Sequence, residues 1–103
     1  MKKILLACAG GFSTSMLVAK MQEAATSLGI PAEINAVADS DIEEHLDVEV
    51  ILLGPQIAHR LSDIKEVTNI PVAVIDSFDY GTMNGENVLR FALEKISEME
   101  GVS

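Results

Sequence analysis

Apolar and polar positions along this chain fall into blocks whose period switches between the two-residue repeat of a strand and the 3.6-residue repeat of a helix. KKILLAC (2–8) is a short apolar run, as expected for a strand covered on both faces. From Ser13 the period changes: Leu17, Met21, Ala24 and Leu28 form one stripe of a helix, and Gly29 is placed to end it. PAEINAV (31–37) sets Glu33 and Asn35 opposite Ile34, which suits an edge strand. DSDIEEHL (39–46) predicts a short acidic helix capped by Asp39 or Ser40. VEVILL (48–53) is a second buried strand. GPQI follows it, with Pro55 in the first turn of a helix that runs to about Asn69 and turns Ile57, Leu61 and Ile64 inward. IPVAVID (70–76) is a fourth strand and SFDYGTMNG (77–85) a loop. The last helix, 86–100, carries Leu89, Ala92, Leu93, Ile96 and Met99 on its inner face.

The order is β-α-β-α-β-α-β-α. Strands separated by helices cannot pair as hairpins, so the sheet is expected to be parallel with helices on both faces. The expected fold is an α/β three-layer sandwich around a four-stranded parallel sheet of order 2-1-3-4, in a single domain spanning 1–103. In such sheets ligands bind beyond the carboxyl ends of the strands, where the strand order reverses. With strand 1 central, that point is the end of strand 1, and Cys8 stands there.

Charge narrows the choice of partners. The formal net charge is −9, with only 7 lysines and arginines. Nucleic-acid binding rests on clustered basic side chains, and an acidic chain is repelled by anionic lipid, so both are disfavoured. One cysteine excludes an internal disulfide, and no Cys/His cluster suggests zinc. Neither a metal nor a cofactor is expected. Lys2 and Lys3 precede an apolar run too short for a secretory signal, and no stretch approaches the roughly 20 apolar residues of a membrane helix. A cytoplasmic protein without membrane insertion is the expectation.

The chemistry concentrates in residues 8–15. Ala9, Gly10 and Gly11 are small, and glycine adopts the conformations that turn successive N–H groups inward. Ser13, Thr14 and Ser15 are good helix caps, and the helix they open points its free N–H groups and positive dipole end back at the loop. Such a nest binds phosphate without cationic side chains, and with Phe12 it makes residues 9–15 the candidate phosphate-binding loop. The same field favours the thiolate of Cys8, whose free pKa is about 8.5, so Cys8 is expected to titrate below a model thiol and to act as a nucleophile. A packed strand cysteine before a plain glycine turn is the competing reading. The spacing is close to that of the cysteine-dependent phosphatase loop, in which five residues separate the cysteine from an arginine followed by Ser or Thr. Here Thr14 occupies the arginine position and Ser15 the last. An acceptor of phosphate is therefore expected in preference to a hydrolase.

Three stretches, CAGGFSTSMLV after the first strand, ILLGPQIAH (51–59) and VIDSFDYG (74–81), give the whole chain a resemblance to a known family. It is similar to the cytoplasmic IIB component of the bacterial phosphoenolpyruvate-dependent sugar phosphotransferase system, in the lactose, cellobiose and chitobiose group. The resemblance implies a relay: Cys8 takes a phosphoryl group from a histidine of the IIA component and passes it to a sugar entering through the membrane component IIC. The sugar implied is a β-disaccharide such as cellobiose, chitobiose or lactose, and the protein would sit peripherally at the permease. Gln56 is a candidate contact to the phosphoryl group or a partner, against a simple turn role. Asp79 and Tyr80 are further candidate contacts, against a solvated turn. His45 and His59 read as surface histidines, and Phe12 with Met16 as an apolar collar for docking, core packing competing at Met16. Two other classes stay open: a low-molecular-weight-type cysteine phosphatase, and an adaptor that binds phosphorylated ligands with no covalent step.

Overall fold

The computed structural model describes residues 1–9 and 12–99, with the side chains of Phe12, Ser13 and Met99 outside that description. Four parallel strands, β1 (Lys2–Cys8), β2 (Ala32–Ala38), β3 (Val50–Leu53) and β4 (Val72–Val74), form one sheet in the order β2-β1-β3-β4. The sheet is covered on one face by α1 (Phe12–Leu28) and α4 (Gly85–Met99). The other face carries two 3₁₀ segments (Asp39–Glu44 and Pro55–Arg60) and α2 (Leu61–Val67). The expected three-layer sandwich and strand order are what the chain adopts.

Strand alternation decides which side chain joins which layer. Ile4 and Leu6 of β1 pack with Leu17, Met21, Leu89, Ala92 and Ile96 beneath α1 and α4. Leu5 and Ala7 face the other way, onto Ile42, Ile57 and Ile64. Both central strands, β1 and β3, are therefore apolar almost throughout. β2 keeps the alternation expected of an edge, with Ala32 and Ile34 buried and Glu33 and Asn35 exposed.

Several elements differ from the sequence expectation, each for a local reason. Residues 77–85 are not all loop: Ser77–Gly81 form a short helix, α3, because the Asp76 carboxylate accepts hydrogen bonds from the N–H groups of Phe78 and Asp79. The helix expected from Pro55 to Asn69 divides into a 3₁₀ segment and α2. Ile57 adopts φ −117° and ψ 27° to reach the core, which breaks the helical run. The acidic segment Asp39–Glu44 is 3₁₀ and has no side-chain cap; Asp39 binds Arg60 instead, at 2.9 Å. In α1 the inner stripe is Thr14, Leu17, Met21 and Ala25, while Leu28 is exposed at the helix end, where Gly29 takes φ 69°. The inward placement expected of Met99 lies outside the described residues.

Candidate functional site

All four strands end along one edge of the sheet. Cys8 closes β1 level with Ala38 of β2; on the other side the Gly54 N–H donates to the Ala7 carbonyl at 2.8 Å, and the Ile75 N–H to the Leu53 carbonyl at 2.9 Å. These bonds carry the sheet one residue past β3 and β4, and the first holds the backbone next to Cys8 on the β3 side.

Alternation turns the Cys8 side chain to the same face as Ile4 and Leu6, toward α1. There its Sγ lies 3.4 Å from Oγ1 of Thr14, either atom being able to donate. Cys8 is 4% exposed and Thr14 is completely buried, an uncommon place for a hydroxyl. Thr14 lies in the first turn of α1, a 17-residue helix with no acidic residue in that turn. The positive end of its dipole therefore faces the Cys8 end of the sheet without an intervening carboxylate from the helix itself. A thiolate there accepts a hydrogen bond from the Thr14 hydroxyl.

Of the rest of the expected loop, Ala9 is an exposed bend and Ser15 is exposed on the first turn of α1. Gly10 and Gly11 lie outside the described residues, as do the side chains of Phe12 and Ser13. Met16 is 56% exposed beside Ser15, so it does not pack in the core.

The other sequence candidates scatter. Gln56 is exposed on the 3₁₀ segment after β3, but its side chain folds back. A Cβ placed on Gly54 would meet Gln56 Oε1 at 2.9 Å and Cys8 Cβ at 3.1 Å. Gln56 Oε1 and Cys8 Cβ therefore lie no more than about 6 Å apart, with Gly54 between them. Tyr80 is buried in the core beneath α1 and α4. Asp79 faces α4, its Oδ1 accepting from Asn87 Nδ2 at 3.2 Å. His45 and His59 are both exposed, and no group of three His, Cys, Asp or Glu side chains among the described residues is arranged to hold a metal. Gly54 is the residue the sequence reading missed. Its signal was the glycine at the end of an apolar strand, directly before Pro55, and only the space beside Cys8 explains it.

The sequence matches the family described as "PTS system, Lactose/Cellobiose specific IIB subunit" over residues 3–91. The chain belongs to this family. It is 43% identical to an oligo-beta-mannoside-specific EIIB component of Bacillus subtilis, over 90% of this chain and 94% of that protein. Galactose-specific and cellobiose-specific EIIB components of two Lactococcus lactis strains are also 43% identical, over 88% of this chain and 93% of each of theirs. Among solved structures, the cellobiose-specific phosphotransferase IIB component of Borrelia burgdorferi superposes with a TM-score of 0.80 at 40% identity, covering 95% of this chain and 94% of that one. A lactose-specific EIICB component of Streptococcus mutans matches 92% of this chain at 29% identity, with the match filling 18% of that longer protein. The name of that relative joins IIC and IIB in one polypeptide. In this chain, no helix among the described residues is long and apolar enough to cross a membrane.

Proposed function

We propose that this IIB subunit carries a phosphoryl group on Cys8, received from a phosphohistidine of a IIA component and given to a sugar bound by a IIC component. In the first step the Cys8 thiolate attacks phosphorus, an S–P bond forms, the N–P bond breaks, and the released imidazole takes a proton. In the second step a sugar hydroxyl oxygen attacks the same phosphorus, an O–P bond forms and the S–P bond breaks. The hydroxyl proton goes to solvent and the thiolate is regenerated. Both steps move negative charge onto groups at the start of α1, where peptide N–H groups and the Thr14 hydroxyl receive it.

The observation that carries this reading is the pairing of a nearly buried Cys8 with a buried Thr14 at the helix start. It also disfavours a phosphatase. The position that would hold the clamping arginine is occupied by a hydroxyl bound to the thiol. A carrier benefits from a site that does not speed attack by water.

The sugar proposed is a β-disaccharide such as cellobiose, chitobiose or lactose. Relatives at the same 43% identity are named for oligo-beta-mannoside, galactose and cellobiose, which fits a selectivity that resides mainly in the membrane component. The protein acts in the cytoplasm, peripherally associated with that permease. Incubation of the chain with phosphoenolpyruvate, the general phosphotransferase proteins and a IIA component is expected to add one phosphoryl group. Cys8→Ser is expected to take none while keeping its circular dichroism spectrum and melting curve. Labelling that persists in Cys8→Ser would contradict the assignment.

A further inference from the structure

A second feature stands on the same edge of the sheet. Val74, Ile75, Val88 and Phe91 line a cleft of about 210 Å³ at the carboxyl end of β4, with Asp76 and Asp79 also in its lining. Beside it Phe78, on α3, is 73% exposed, the most exposed aromatic side chain among the described residues. A cation close by is already engaged: Lys95 Nζ lies 5.3 Å from the Phe91 ring centre and 3.6 Å from Glu98. An apolar floor, two carboxylates and a projecting phenyl ring make a surface for an apolar segment that carries lysine or arginine.

Position says when this surface is covered. β4 stands two strands from β1, about 10 Å at the usual strand spacing, and Ile75 and Val88 belong to the same sheet face as Cys8. A protein contact of ordinary size covers about 800 Å² on each partner, a disc of about 16 Å radius. A protein that closes over Cys8 from the β4 side therefore also covers the cleft, whereas one centred on the β2 side of Cys8 leaves it open.

Charge chooses among such proteins. Cytoplasmic loops of membrane proteins carry an excess of lysine and arginine, whereas the lipid surface around them is anionic. A chain of net charge −9 is repelled by the lipid and attracted by those loops. The geometry points to the cleft at the end of β4, with Phe78 and Asp79, as the seat of a basic cytoplasmic loop of the IIC membrane component. This rests on the phosphoryl-carrier reading for its purpose, and it names the surface by which phospho-Cys8 is presented to the membrane-bound sugar.

The variants Phe78→Ser and Asp79→Asn test it. Phe78 is exposed, and an asparagine at 79 keeps an oxygen for Asn87 while removing the charge. The probes are proteoliposomes carrying the IIC component, with the cytoplasmic side outward, and protein-free vesicles of the same lipids. The double variant is expected to bind the IIC proteoliposomes about tenfold more weakly. Its apparent KM in phosphoryl transfer to sugar rises to match, while phosphorylation by IIA keeps the wild-type rate. Wild-type binding is expected to weaken as salt is raised, and protein-free vesicles are expected to bind neither form. Unchanged binding to IIC, an equal loss in the IIA reaction, or equal binding to protein-free vesicles would each overturn the inference. If the wild type accepted no phosphoryl group at all, the carrier reading would fail, and the binding comparison would still decide this one.

Discussion

At the scale of single residues, the site is a contact between a thiol and a hydroxyl that the core has excluded from water. The conjunction of an apolar run ending in Cys8, two glycines and three cap residues was legible in the sequence. The partner of the thiol was not: Thr14 reads as one cap among three, and only the pitch of α1 turns it inward beneath Cys8. Because a hydroxyl donor stabilises the thiolate, Thr14→Val is expected to move the alkylation midpoint of Cys8 to higher pH. Thiol alkylation rate measured against pH in the two proteins checks this, and an unmoved midpoint would remove Thr14 from the account. Gly54 makes the second residue-level prediction. A methyl at that position meets the side-chain end of Gln56, which can swing away, and Cys8 Cβ at 3.1 Å, which must give slightly. Gly54→Ala is thus expected to slow phosphoryl acceptance by Cys8 several-fold while shifting Tm by only a few degrees, about 1 kcal/mol or less of stability. Phosphorylation time courses beside melting curves separate the two effects.

At the scale of elements, periodicity located the strands and the two long helices, because each buries a face that repeats at its own period. It failed where a single side chain sets the local conformation. α3 depends on the Asp76 carboxylate capping two N–H groups, a signal present in the order Asp-Ser-Phe-Asp but outweighed by the glycines and asparagine that follow. The segment after β3 is broken by Ile57 reaching for the core, which no apolar count reveals. Asp39 serves as the partner of Arg60 across 21 positions of sequence and so does not cap its own helix. That ion pair ties together the two segments that leave β2 and β3, on the sheet face opposite Cys8. Packing between elements also turns on one glycine. At Gly85, the first residue of α4, an added Cβ would lie 2.4–2.6 Å from backbone atoms of Lys20 and Met21. α1 and α4 meet there backbone against backbone. Gly85→Ala is expected to force them apart at a cost of about 2 kcal/mol or more, lowering Tm by about 10 °C. A thermal melt that matches the wild type would show that the two helices are not held at that distance.

At the scale of the whole molecule, the fold presents its chemistry along one edge and keeps both faces of the sheet for the core. The parallel order β2-β1-β3-β4 puts Cys8 at the end of a central strand, with Gly54 on one side and the end of β2 on the other. The alternation of strands and helices made this architecture legible in the sequence. The net charge of −9 excludes much of what a phosphate-binding fold does elsewhere and leaves the anion to be held by peptide groups and hydroxyls. It also favours basic protein partners over bare lipid. An acidic surface that attracts basic partners, and a thiol buried beside a hydroxyl, fit the proposed task of holding a phosphoryl group between two partners.

The measurement that bears most directly on that task is intact-mass spectrometry of the chain through one full cycle, with the adduct located by fragmentation. After phosphoenolpyruvate, the general phosphotransferase proteins and IIA are added, the account predicts a single phosphoryl group on Cys8. That group persists in buffer and disappears when IIC membranes and the matching sugar are supplied, with sugar phosphate formed in equal amount. An adduct on another residue, or one lost to water as free phosphate before any sugar is added, would contradict it.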